Sequence, residues 1–289
     1  MEDVELRLDY RPPFAAERLI TFLAARAVPG IEHVDGLTYR RSARTIGGDG
    51  VLLELTPDPD ESVVCLRVSG VGDASDAEGS GQVARRLFDL DADPRTIDAA
   101  LTADPVLAPL VAAAPGTRLP GAVDGFELAV RAIVGQQVSV ACAHTTLGRI
   151  VARLGSALEG AEGPVTSLFP TQAAIASASR EELGVPGARA EAIRELGRRV
   201  GAGDLDLSGI ADLEDTRAAL GSIPGVGPWT VGYVAMRALG DPDAFPAGDL
   251  GVHHGIAALG LADDMRSIAS RAERWRPWRG YATMHLWQI

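Results

Sequence analysis

Three groups in the last third of the chain have types and spacing that could do chemistry. The stretch SIPGVGPWT places Pro224, Gly225, Gly227 and Pro228 ahead of an apolar run. Glycines let a backbone turn with positive φ and let another backbone come close. Proline suits the first position of a helix, where its missing N–H costs nothing. The free N–H groups of a helix starting at Pro228 would point outward, a setting that suits a phosphate. The same glycines also serve a plain turn between two helices, and on the turn alone both readings stand. A nucleotide-binding P-loop is excluded, because GVGPWT is too short and lacks Lys. Trp229 and Tyr233 lie four apart and therefore on one helix face. Asp249 stands alone in the small-residue loop FPAGD, twenty-two residues after Gly227. A lone surface Asp is usually a turn residue, so this carboxylate takes its meaning from its neighbours.

The elements that must position these groups fall into two regions. In the first, VELRLDY alternates Val4, Leu6, Leu8 and Tyr10 at strand period, and AAERLITFLAARA follows with helical spacing. GLTYRRSART, GVLLELTP and SVVCLRVSG read as strands separated by Gly, Pro and Asp turns. Val71 to Gly81, VGDASDAEGSG, reads as a surface loop, and QVARRLFDL after it as helix. From about residue 91 strand signals disappear. FELAVRAIVGQQVSVACAHTTLGRIVARLG carries apolar residues at helix spacing, with Gly135 as an interruption. Asp212 and Asp215 offer capping carboxylates for a helix over Thr216 to Ser222, the turn breaks it, and a second helix runs from Trp229 to about Leu239. The expected plan is an α+β module over 1–90 before an all-α body over 91–289, with the hairpin at about 213–239.

Composition narrows the classes. The longest apolar runs, such as Val106 to Ala114, are far too short to cross a bilayer, and the acidic N-terminus lacks the regions of a signal peptide. A cytoplasmic protein with no membrane partner is the default expectation. Cys65 and Cys142 cannot build a disulfide framework or a four-thiolate metal site. The net charge of -12 argues against nucleic acid at first sight. Residues 1–120 carry most of it, with 20 acidic against 12 basic residues, whereas 221–289 hold six of each. The last third is therefore not barred from phosphates. All basic residues are Arg, and affinity resting on few of them should be salt-sensitive. All four Trp fall in the last 61 residues; Trp275 and Trp278 are assigned to the core.

The motifs also resemble a family. LGSIPGVGPWT, with Leu220, Pro224, Gly225, Val226, Gly227 and Thr230, resembles the helix-hairpin-helix of DNA glycosylases. FPAGD resembles the Gly/Pro-rich loop that ends in their catalytic aspartate, here Asp249. LPGAVDGFELAVRAIVGQQVSVA, AERWRPWRGYATMHLW and LRLDYRPPF are similar, in order, to stretches of the 3-methyladenine DNA glycosylase II family, the alkylated-base type. The resemblance implies an N-terminal module like the TATA-binding fold, followed by two helical lobes with a cleft between them. It implies excision of alkylated bases from double-stranded DNA by a monomer with no organic cofactor. It assigns Asp249 as catalytic and Trp229, Tyr233 and Trp287 to the base pocket. DNA contacts fall to Gln137, Gly225, Gly227 and Thr230. It also implies a monovalent cation, Na or K, on hairpin carbonyls within Ser222 to Gly227.

The implied chemistry suits these residues. Breaking an N-glycosidic bond develops positive charge on the sugar, which a carboxylate beneath C1′ can stabilise while helping water attack. Gly248 before Asp249 would leave room for a deoxyribose. The base must leave the stack, and electron-rich rings would then hold a base made cationic by alkylation. Bifunctional relatives place a Lys where this chain has Trp229; with no Lys anywhere, that Schiff-base chemistry is unavailable. Two Cys exclude an iron–sulfur cluster, and no zinc is expected. His253 and His254 are adjacent on an expected helix and would not converge on a metal. The chain departs from the pattern at two places. Gln137 aligns with the family's apolar wedge, and Gln288 stands where an aromatic is often found. Similar sequences also occur fused behind a methyl-accepting regulatory module, which leaves a longer parent protein open. The acidic charge and Gln137 motivate an alternative, a non-catalytic DNA-binding damage sensor. A hydrolase acting on free nucleosides is the third reading, and it would have no use for the hairpin glycines.

Overall fold

The structure is a computed structural model that describes residues 2–289 except Ala247 and the side chain of Glu2. The alternating apolar residues of the first region form an antiparallel sheet. Strand β1 (Glu2–Asp9) leads through helix α1 (Ala16–Ala24) to β2 (Glu32–Asp35), β3 (Thr38–Arg44), β4 (Gly50–Asp58) and β5 (Val63–Val71). Their spatial order is β1-β5-β4-β3-β2, so the first strand pairs with the last and α1 spans the sheet. Leu53 and Leu55 of β4 and Val64, Leu66 and Val68 of β5 point to one buried face, as a period of two requires.

The reading of Val71 to Gly81 as a loop is corrected. Helix α2 (Ala74–Phe88) begins there, because the Asp73 carboxylate accepts from the Ser75 and Asp76 amides. Its small residues are used for contact. A Cβ on Gly81 would lie 3.4 Å from Leu6 and 3.9 Å from Leu8 of the sheet. Composition signalled a loop, but capping and close packing on β1 prevail.

Helices α3 (Pro94–Thr102) and α4 (Ala108–Ala113) lead into α5 (Gly125–Gly135) and α6 (Val140–Leu154). Strand structure does not end at residue 90: β6 (Ser156–Ala157) and β7 (Ser167–Leu168) form a two-residue ribbon. Leu158 and Leu168 of this ribbon cover Gly50, where a Cβ would fall 3.0 and 2.8 Å away. Next come α7 (Gln172–Ser177), α8 (Arg180–Leu183) and α9 (Gly187–Ala202). The hairpin is α10 (Leu213–Gly221) and α11 (Pro228–Arg237). Asp212 caps α10 three residues earlier than expected, accepting from Glu214 and Asp215. Helices α12 (Leu250–Ala258), α13 (Met265–Ala272) and α14 (Arg279–Leu286) complete the chain.

The two large apolar cores do not divide at residue 90. One joins the sheet residues and Phe88 to Met236, Ile256, Trp275 and Met284. The other is built by Ile133, Ile150, Leu183, Ile193 and Leu220 from α5 to α10. Helix α11 lies between them, with Met236 in the first and Val234 in the second. Trp275, 1% exposed, donates its Nε1–H to Asp104 at 2.9 Å, and Trp278 packs edge-on to Tyr281. The first and last segments are pinned directly: Arg18 of α1 donates to Gln288 at 2.8 Å.

A buried ion network fixes the sheet to α5. Arg41 of β3 lies 2.8 Å from Glu127 and 3.6 Å from Glu32 of β2. Arg131 lies 2.8 Å from Glu127 and 3.0 Å from Glu32. The Tyr39 hydroxyl and the Val28 amide donate to the same Glu32 carboxylate. Burial pushes the Glu32 carboxyl up, but Arg131 and Arg41 outweigh it and hold it below its ordinary range.

Candidate active site

The helix-hairpin-helix turn uses its glycines in two different ways. Gly225 has φ +91, the left-handed conformation expected of it. The same expectation is corrected for Gly227, whose φ is -94 as the extended N-cap of α11. Nothing lies within 4 Å of a Cβ built on Gly227, so the space over the helix start is open. Pro228 has no N–H, and the amides of Trp229 and Thr230 find no acceptor among the described residues. Together these make an open N-terminus suited to an anion.

Thr230 is corrected as a side-chain contact to DNA. It is 1% exposed, and its hydroxyl accepts from Gln136 Nε2 at 2.9 Å. The same Nε2 donates to the Gly225 carbonyl at 3.0 Å. Gln136 therefore clips the break between α5 and α6 onto the hairpin. Gln137 follows on that break, exposed and with φ +55. Of the hairpin carbonyls, Ile223 accepts from Val226 and Gly225 from Gln136. Those of Ser222, Pro224 and Val226 have no donor among the described residues.

Asp249 is held by three donors. It caps α12, with Oδ1 accepting from the Val252 amide at 3.0 Å. The indole N–H of Trp287 reaches Oδ1 at 2.7 Å, and that of Trp229 reaches Oδ2 at 2.8 Å. The two indoles come from the start of α11 and the residue after α14, so helices distant in sequence converge on one carboxylate. Gly251 permits this arrangement. A Cβ there would stand 2.6 Å from Trp287 Cδ1 and 3.0 Å from Asp249 Oδ1. Gly248 is less constrained, since a Cβ there would meet only Met265 Cε, at 3.8 Å.

The aromatic residues form one continuous wall. Trp229 and Tyr233 stack with centroids 5.4 Å apart, and Tyr233 lies 6.0 Å from Trp287. Trp287 in turn stacks on Phe22 of α1 at 5.9 Å and 8°. Two arginines complete the wall. The Arg26 guanidinium lies 3.9 Å from the Phe22 centroid, and that of Arg237 lies 4.9 Å from it. Arg237 also donates to the Tyr233 hydroxyl at 3.1 Å and to the Pro120 and Gly121 carbonyls. Burial lowers the pKa of both guanidiniums; Tyr233 and Asp249 oppose this at Arg26. The Arg131 side chain donates to the Arg26 carbonyl at 2.6 Å, which links the wall to the buried ion network.

These groups line one cavity of about 770 Å³, which Gln137 also lines. The structure thus brings together Asp249, Trp229, Tyr233 and Trp287, with Gln137, Gly225 and Gly227 on the same cavity. Sequence reasoning missed Phe22, Arg26, Arg237, Gln136 and Gly251. Phe22 sits on an amphipathic helix and Arg26 in the turn just after it, and neither carries a signal of its own; Gln136 stood beside a residue that the reading had already singled out. No group of three or more His, Cys, Asp or Glu among the described residues could hold a metal, and His253 and His254 are consecutive on α12.

Residues 5–124 match the AlkA N-terminal domain, and residues 130–280 match the HhH-GPD superfamily base excision DNA repair protein family. The chain belongs to the HhH-GPD superfamily. This HhH-GPD chain is 46% identical over 284 residues to a probable bifunctional transcriptional activator/DNA repair enzyme AlkA of Mycobacterium tuberculosis. That alignment covers 98% of the chain but only 56% of the relative, so the chain spans little more than half of its length. It is 35% identical to DNA-3-methyladenine glycosylase 2 of Escherichia coli, with 97% of the chain and 95% of that protein covered. A solved 3-methyladenine DNA glycosylase from Archaeoglobus fulgidus has the same fold. It superposes with a TM-score of 0.81 at 24% identity, over 99% of this HhH-GPD chain and 97% of that one.

Proposed function

We propose that this chain is a monofunctional DNA glycosylase that excises alkylated bases, such as 3-methyladenine and 7-methylguanine, from duplex DNA. The observation that carries the proposal is the Asp249 carboxylate, held between two indole N–H groups at the edge of an aromatic cavity. The names of its HhH-GPD relatives support the same substrate class.

In this reading the open start of α11 takes a backbone phosphate, and the damaged nucleotide turns out of the duplex into the cavity. Trp229, Tyr233 and Trp287 receive the base. A cationic base against these faces gains on the order of 1–2 kcal/mol once desolvated. Asp249 lies against the sugar. As the bond between C1′ and the base nitrogen breaks, its electrons leave with the base, and the carboxylate stabilises the positive charge on the ring until water attacks. Alkylation has already placed charge on the leaving base, so no acid is required. The absence of Lys leaves no lysine amine to form a Schiff base from the hairpin, which agrees with a purely hydrolytic reaction. The carbonyls of Ser222, Pro224 and Val226 would hold a monovalent cation, whose charge would draw a DNA phosphate to the hairpin. The protein is proposed to work as a cytoplasmic monomer on chromosomal DNA. Among the described residues no helix is long and apolar enough to cross a membrane.

The test is release of methylated bases from alkylated DNA, with products identified, by the wild type and by Asp249→Asn. Asn still caps α12, so the variant should fold and bind DNA. The expected result is release by the wild type alone; equal release by both would overturn the proposal.

A further inference from the structure

Four arginines line the cavity, and they fall into two pairs. Arg41 and Arg131 are matched by Glu32 and Glu127, two charges against two. Arg26 and Arg237, both against the Phe22 ring, have no carboxylate within ion-pair distance among the described residues. Neutral acceptors provide for Arg237: the Pro120 and Gly121 carbonyls and the Tyr233 hydroxyl take its donors. Nothing comparable provides for Arg26. Its one hydrogen bond among the described residues is long, 3.4 Å, to the Phe22 carbonyl. A guanidinium carries five N–H groups in a fixed fork, so most of this one is unused. Burial lowers its pKa, as expected of a cation withdrawn from water without a counter-ion, and Tyr233 and Asp249 offset only part of that.

The fold nevertheless holds the charge in place. Arg131, locked by Glu32 and Glu127, donates to the Arg26 carbonyl at 2.6 Å and fixes the backbone that carries this side chain. The Arg26 guanidinium lies 3.9 Å from the Phe22 centroid and 5.7 Å from that of Trp287. Its unused N–H groups are therefore within reach of whatever comes to rest against these rings. On the glycosylase reading, on which this inference rests, that is a flipped base, while the DNA backbone stays at the open start of α11.

A methylated base brings no anion to this site, since its ring is cationic and its methyl neutral. A carboxymethylated base does. In 7-carboxymethylguanine the ring keeps the positive charge that weakens the glycosidic bond, and the added carboxylate matches the guanidinium fork with its two oxygens. Space is available: the cavity of about 770 Å³ is lined by the ion network as well as by the rings, and such volumes enclose ligands larger than a methylated purine.

We propose that Arg26 is an anion-recognising residue of the base pocket, and that the chain excises bases carrying a carboxymethyl group in addition to those carrying a methyl. The reaction itself is unchanged. The bond between C1′ and the base nitrogen breaks, its electrons leave with the base, water supplies the hydroxyl at C1′, and the carboxymethyl group departs intact on the base.

The experiment compares single-turnover release of 7-carboxymethylguanine and of its neutral isostere 7-carbamoylmethylguanine, in otherwise identical duplexes, by the wild type and by Arg26→Met. Methionine keeps an unbranched apolar stem and loses the charge. The intrinsic lability of each base is common to both enzymes, so the comparison isolates the contact between carboxylate and guanidinium. The ratio of carboxymethyl to carbamoylmethyl release should be roughly tenfold higher for the wild type than for the variant. Equal ratios would overturn the proposal, as would a wild type that releases 7-methylguanine but neither larger base; the glycosylase reading stands in both cases. A wild type that does not release 7-methylguanine would overturn that reading and this one with it. Arg26→Gln serves if the Met variant does not fold, and should lose the same preference.

Discussion

Two sets of carboxylates line the same cavity and are treated in opposite ways. Glu32 and Glu127 are buried, 7% and 4% exposed, and each lies against both Arg41 and Arg131. Asp249 is half-buried, and among the described residues no Arg lies within ion-pair distance of it; its donors are two indoles and one backbone amide. The arginines cancel the first pair's charge and spend it on joining the sheet to α5. The neutral indoles orient the Asp249 carboxylate and leave its negative charge uncancelled. Carboxylates on one cavity are therefore told apart less by their proximity to it than by the charge of their partners.

Substitutions should separate the two sets. Glu127→Ala leaves the two buried guanidiniums of Arg41 and Arg131 with the single carboxylate of Glu32 and should cost about 3–5 kcal/mol in chemical denaturation, with activity falling only as the fold does. Asp249→Asn should do the reverse, lowering single-turnover base release by at least roughly 100-fold while the denaturation midpoint stays put. A large stability loss there would erase the distinction. Smaller changes test the orientation alone. Trp287→Phe keeps the ring and removes one donor to a charged group, a loss of about tenfold in release. Gly251→Ala should match it, because the added methyl would displace the Trp287 indole. The mildest test is acid. Glu32 is held below its ordinary pKa, so its stabilising effect is complete above about 4.5 and is lost as pH falls further. Glu32→Gln should therefore be less stable at neutral pH and show a shallower loss in urea titrations below pH 4.5.

Much of the working end was legible because it is local in sequence. The hairpin, Trp229, Tyr233 and Asp249 fall within one short stretch, and turn chemistry together with family resemblance singled them out. Helical spacing placed Trp229 and Tyr233 on one face, as found. Failures came where partners are far apart or composition misleads. The sequence does not say that Phe22 will stack on Trp287, or that Arg131 will hold the Arg26 carbonyl. Residues 74–81 look like a loop by content; the Asp73 cap and the closeness of α2 to Leu6 make them a helix. Thr230 was assigned to DNA contact from its motif, and Gln136 turns its hydroxyl into an internal fastening.

The aromatic wall has a consequence for how the protein is made. Its first ring comes from Phe22 and its last from Trp287, and the latch between Arg18 and Gln288 joins residues 270 positions apart. A growing chain on the ribosome can complete its sheet early, but that sheet's apolar face waits for Trp275 and Met284. No shorter product of synthesis or of proteolysis holds a finished pocket. On the proposed function, a chain cut before Trp287 would lack one wall of the pocket that receives a displaced base.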